Sequence, residues 1–133
     1  MTISTSFMAV VELPWPSSDL SPNSRLHWAR KSRVAKKARN DARLLCLSEG
    51  IRGLGWDAAR VSITFHAPDA RHRDTDNMLA SLKSALDGIA DATGIDDGKW
   101  ALEINRGEIR KGGEVVVRLS PIKAAAKKAR GKQ

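Results

Sequence analysis

The chain has 133 residues, 41% of them apolar and 29% charged, with a formal charge of +8 and a single cysteine. That length suits one domain with a core of its own. The composition excludes a disordered chain, the short apolar runs exclude a membrane-spanning helix, and one cysteine excludes a disulfide framework.

In chain order, Phe7 to Leu13 (FMAVVEL) is an apolar run closed by Pro14 and Pro16, which predicts a first strand. Residues 14–24 are rich in Pro and Ser and read as a loop, with Asn23 or Ser24 placed to cap a helix. From Arg25 to Glu49 neither Pro nor Gly occurs, and Gly50 supplies a stop. Val34, Ala38, Ala42 and Leu45 make a narrow seam on this otherwise basic helix. Cys46, among Leu44, Leu45 and Leu47, reads as a small core residue in a reducing compartment.

After a turn at Gly53 and Gly55, Arg60 to Ala67 alternates Val61, Ile63 and Phe65 with Ser62, Thr64 and His66, the pattern of a half-buried strand. Pro68 to Arg73 is a loop. From Asn77 to Ala92, Met78, Leu79, Leu82, Ala85, Leu86, Ile89 and Ala90 share one helical face, and Gly94 ends it. Trp100 to Arg110 and Glu114 to Ser120 read as the two strands of a hairpin bent at Lys111-Gly112-Gly113. The order β-α-β-α-β-β predicts an α/β fold of mixed α+β type: a single domain over residues 1–120, with two main helices on a mixed sheet. Residues 121–133 form a basic C-terminal tail, and removing it is expected to reduce the salt dependence of polyanion binding. No basic n-region followed by an apolar h-region opens the chain, so a signal peptide is not expected and a cytoplasmic location is.

Charge is unevenly spread. Arg25, Arg30, Lys31, Arg33, Lys36, Lys37, Arg39 and Arg43 face the single acid Asp41 within residues 25–43. Between His66 and Glu103 stand Asp69, Asp74, Asp76, Asp87, Asp91, Asp96, Asp97 and Glu103, more than half of the fifteen acids. A basic surface around a separate acidic site is what a metal-dependent nuclease needs, since it must attract a polyanion and still hold Mg²⁺. A solvated basic face is the plainer alternative.

Asp74 and Asp76 alternate at the strand-to-helix junction, and Asp97 comes from the turn after the helix, so the fold must return it to them. Carboxylates that would repel one another are held together by a hard cation. At 100° per residue, Lys83 and Asp87 each lie about 20° from Asp76, forming one polar stripe opposite the apolar face. Lys83 is then a cationic partner for charge on a phosphodiester, with Asp87 and Asp96 near the site in undecided roles. Arg30, Lys31, Arg33, Lys36, Lys37, Arg71 and Arg73 are candidates for phosphate-backbone contacts. Each acid also has a structural alternative: Asp74 or Asp76 as helix cap, Lys83–Asp87 as an exposed i,i+4 pair, Asp96-Asp97-Gly98 as a plain turn. His72 can serve as a base or stand solvated. His27 and Trp28 can contact DNA or anchor the helix start, while Trp15, Trp56 and Trp100 pack in or cover the core. There is no Cys/His metal spacing, no phosphate-cradling glycine loop and no serine or cysteine triad, so no organic cofactor is expected.

The succession Asp74-Thr75-Asp76-Asn77, Lys83, Leu86-Asp87-Gly88 and Asp96-Asp97, preceded by Pro14-Trp15-Pro16, Asn23 and Trp28, resembles the RusA family of Holliday junction resolvases over roughly residues 7 to 120. The resemblance implies a homodimeric, Mg²⁺-dependent endonuclease of mixed α/β fold that nicks four-way DNA junctions in pairs. Its catalytic carboxylates would match Asp74, Asp76 and Asp97, and its helix lysine Lys83. In the best-known member the lysine comes three residues sooner. Lys83 therefore keeps its face of the helix but sits about 4.5 Å further along the axis, a phage-like variant of the pattern. Two other readings use the same residues: a Mg²⁺ nuclease for flapped, branched or single-stranded nucleic acid, and a non-catalytic basic nucleic-acid-binding protein.

Overall fold

A computed structural model of the chain describes residues 9–122. Strand β1 (Ala9–Pro14) leads through a loop with a single 3-10 turn (Ser18–Leu20) to helix α1 (Trp28–Ser48). Strand β2 (Ala59–His66), helix α2 (Thr75–Thr93), a second 3-10 turn (Asp97–Lys99), strand β3 (Trp100–Arg106) and strand β4 (Glu114–Pro121) complete the order. The predicted order of elements and the mixed α+β class are those of the structure. Phe7 and Met8 of the predicted first strand, and the tail from Lys123 onward, lie outside the described residues.

The sheet order is β1-β4-β2-β3, with β2 and β3 parallel and β4 antiparallel to both of its neighbours. This corrects the expected β3–β4 hairpin, because β2 lies between the two strands. The sequence β2-α2-β3 is a crossover unit, which sets β3 parallel beside β2 and leaves β4 the other edge of β2. The composition of the strands fits their places. Val115, Val116 and Val117 are all buried, as a strand flanked on both sides requires, whereas β3 exposes Ala101 and Glu103 at the sheet edge. Residues 107–113 carry the chain across the end of β2. The Gly107 amide donates to the Phe65 carbonyl, and any side chain at Gly107 would strike the His66 ring. The crossing buries His66, which the alternation had assigned to the open face, and its Nδ1 meets the Glu108 carbonyl oxygen at 2.8 Å.

Both helices cover one face of the sheet. Met78, Leu82, Leu86 and Ile89 of α2 and Ala42 and Cys46 of α1 close over Val11, Val117, Ile63, Phe65 and Leu119. Trp15, Trp56 and Trp100 pack around the margin of this core. At the α1–α2 crossing, a methyl group on Gly88 would run into the Arg39 carbonyl oxygen, so glycine is what lets the backbones approach. Arg39 also clamps Asp91 through two bonds of 2.7 and 2.8 Å. Burial pushes the Cys46 thiol up to about 11, an inert core residue as expected.

Helix α1 begins later than the sequence pattern implies, at Trp28, and its cap is His27, whose Nδ1 accepts from the Ala29 amide at 3.1 Å. Ser24 closes a local turn by accepting from the Leu26 amide, so it is already spent, and Asn23 belongs to the same loop. Helix α2 begins at Thr75, two residues before the predicted Asn77, because Asp74 caps it; Gly94 ends it in the left-handed conformation, φ 78°. No helix among the described residues is long and apolar enough to cross a membrane.

Candidate functional site

Asp74 and Asp76 stand at the N-terminus of α2, where unpaired amides and the helix dipole favour negative charge. Asp74 Oδ1 accepts from the Asp76 amide at 2.9 Å, so the capping role is real for this residue and leaves its second oxygen free. The Asp76 carboxylate is exposed, with no hydrogen-bond or ion-pair partner among the described residues.

Further along the stripe, Lys83 Nζ lies 2.7 Å from Asp87 Oδ1 and 3.3 Å from Asp97 Oδ2. The fold thus returns Asp97 to α2, but to Lys83, about 10 Å down the helix axis from Asp76. Asp97 opens the 3-10 turn that Asp96 caps through the Gly98 amide, and the Trp100 indole steadies that turn by donating to the Ile95 carbonyl. Hydrogen bonding to Asp87, and then to Asp97, holds the Lys83 ammonium above its ordinary range despite partial burial. Lys83 is therefore a fixed cation at neutral pH and not a proton acceptor. Beside it, Leu79, Leu86, Trp100 and Leu102 line a groove of about 280 Å³. Among the described residues no three His, Cys, Asp or Glu side chains share one metal-sized cluster. The two aspartates at the helix start nonetheless present hard oxygen donors, and Mg²⁺ commonly takes one or two carboxylates and completes its shell with water and phosphate.

A cleft of about 590 Å³ opens on the other side of Asp74, walled by Trp15, Asn23, His72, Arg73 and Asn77. The predicted cations differ in what they are free to do. The Arg71 side chain is three-quarters exposed and only loosely paired with Asp69 at 3.9 Å. Arg73 is turned inward: it meets Asp69 at 3.0 Å, lies over the Trp15 ring 5.5 Å from its centre, and donates to the Asp69 and Arg71 carbonyls. Arg73 knits the loop that delivers Asp74. On α1, Arg30, Arg33 and Lys36 have no ion-pair partners among the described residues; Lys31 reaches the Ser21 carbonyl and Lys37 pairs with Asp41 at 2.8 Å.

Arg106 is the residue that sequence reasoning missed. The parallel register sets it beside Phe65 at the top of the sheet, where its guanidinium donates to the Arg73 carbonyl at 2.7 Å and to the Thr75 hydroxyl. Reading β2-α2-β3 as a crossover rather than extending β3 into a hairpin would have returned Arg106 to the start of α2.

No family model matches the chain. An uncharacterized protein of Xylella fastidiosa strain Temecula1 is 42% identical over 119 residues, an alignment that covers 86% of this chain and 78% of that protein. The fold is that of a two-layer mixed α+β domain with acids at the mouth of its crossover helix. The chain belongs to the family of that Xylella protein.

Proposed function

We propose that this protein is a Mg²⁺-dependent, structure-selective DNA endonuclease of the RusA type, which resolves four-way junctions by paired symmetric nicks. The observation that carries the reading is the uncommitted Asp76 carboxylate beside the half-committed Asp74, at a helix N-terminus on a chain of charge +8. Asp74 and Asp76 would hold the metal, which when bound supplies Lewis-acid stabilisation of phosphodiester charge and a more acidic water. Asp97 acts with Lys83: the carboxylate fixes the ammonium, and the ammonium offers a permanent positive charge to the departing or non-bridging oxygens. Arg106 orients the first turn of α2, and Arg71 with the unpaired cations of α1 contacts the phosphate backbone. A four-way junction has approximate two-fold symmetry, so a homodimer with one site per subunit delivers the matched nicks.

The test is cleavage of an end-labelled synthetic four-way junction, compared with a linear duplex and a flap of the same sequence, with Mg²⁺ and with EDTA. Paired nicks in the junction alone, abolished by EDTA, are expected. Equal cutting of the flap would replace junction resolution with a general branched-DNA nuclease. Binding without metal-dependent cutting would leave a basic binding protein.

A further inference from the structure

The first turn of α1 carries a feature that neither the core nor the acidic site uses. Trp28 is 76% exposed, the most exposed of the large apolar side chains among the described residues. Its indole is stacked on the His27 imidazole, with ring centres 5.6 Å apart and planes inclined by 30°. His27 is itself fixed, because its Nδ1 accepts the Ala29 amide as the helix cap. One face of Trp28 therefore leans on a ring held by the backbone, and the rest of it meets solvent. An exposed indole gains nothing from burial and makes no contribution to the core here; set on a ring that the helix cap holds in place, it is a preformed surface on which another flat ring can stack.

The surrounding charge says what kind of partner. Arg25 stands just before the platform and Lys31 one turn after it on the same side of α1, Arg30 and Arg33 lie on the helix's other sides, and no acid occurs anywhere in residues 20–40. A two-fold contact of this patch with itself would press like charges together around the indole, which disfavours a second copy as the occupant. An aromatic ring on a helix start that carries only positive charge matches a nucleotide, whose base stacks while its phosphate pairs.

We propose that His27 and Trp28 form a stacking platform for an unpaired nucleobase of the DNA this protein engages, an inference that rests on the nucleic-acid substrate proposed above. The base lies on the free face of Trp28, and Arg25 with the exposed cations of α1 takes phosphates of the same strand. Paired bases inside a duplex do not offer that face, so the platform discriminates in favour of branch points and single strands.

The test is equilibrium binding, in EDTA, of wild-type, Trp28→Ala and Trp28→Phe proteins to a single-stranded oligonucleotide, a four-way junction and a linear duplex. Trp28→Ala should weaken single-strand and junction binding by about 5- to 150-fold, the loss expected on removing one base–aromatic stack, and duplex binding by less than about twofold. Trp28→Phe should restore most of the affinity, and thermal midpoints should be unchanged because the side chain is exposed. Equal effects of Trp28→Ala on all three DNAs, or no effect, would overturn the platform. Failure of the platform with metal-dependent cleavage intact leaves the nuclease standing. Trp28-dependent binding without any cleavage sinks the nuclease and keeps the platform.

Discussion

Asp74 answers two demands, and Asp76 only one. The Asp74 carboxylate caps α2, so Asp74→Ala should cost about 1 kcal/mol of folding stability, while Asp74→Ser should lose little because the hydroxyl can still accept the Asp76 amide. Asp76→Asn removes no contact made within the described residues and should leave stability within about 0.5 kcal/mol of wild type. Urea denaturation of the three variants checks this ordering. If Asp74→Ser were as unstable as Asp74→Ala, the cap would not be what the carboxylate supplies. At this scale much was legible in advance. Asp in front of an apolar-periodic run is a capping signal, and the stripe through Asp76, Lys83 and Asp87 comes from helix geometry alone. The Lys83–Asp97 contact was not, because a turn residue's partner depends on how the chain returns.

Among the elements, the α1–α2 contact is set by Gly88. By helix propensity alone, glycine costs about 1 kcal/mol relative to alanine in a helix. Packing outweighs propensity at this position, because an added methyl group would strike the Arg39 carbonyl and press on Ala42. Gly88→Ala should therefore destabilise the protein by about 1–3 kcal/mol through overpacking, despite better helix propensity. A lower urea midpoint with an unchanged slope is the expected result; a rise would mean the helices separate without cost. The hairpin expectation failed here for a related reason. Gly112 and Gly113 do make a turn, with positive φ, but a turn signal does not say which strand lies next door. Three buried valines in succession in β4, against the exposed Glu103 in β3, were the available clue to which strand is central.

For the whole molecule, charge distribution governs how stability depends on pH. Asp69 is held below its ordinary value chiefly by the Arg73 bond, Asp91 by Arg39, and Glu108 by its own backbone amide together with Arg110. Carboxyls depressed in the folded state add stability above the unfolded value of about 4, and that stability is lost as pH falls through the lower folded values. Stability should therefore be nearly flat from neutrality to about pH 5 and fall below about pH 4, steepened by repulsion as a chain already at +8 loses its acids. Urea midpoints across this range test it, with Asp91→Asn expected to show a shallower fall. A midpoint that rose below about pH 4 would contradict the assignment.

On the function proposed above, Asp74 and Asp76 hold the metal that cuts branched DNA. The most direct measurement is single-turnover cleavage of a four-way junction in Mg²⁺ by wild type, Asp74→Ser and Asp76→Asn, each first shown to be folded. Paired nicks are expected from wild type, with at least about a 100-fold loss of rate in both variants and junction binding retained. Cleavage within a few-fold of wild type by the folded Asp76→Asn protein would contradict it.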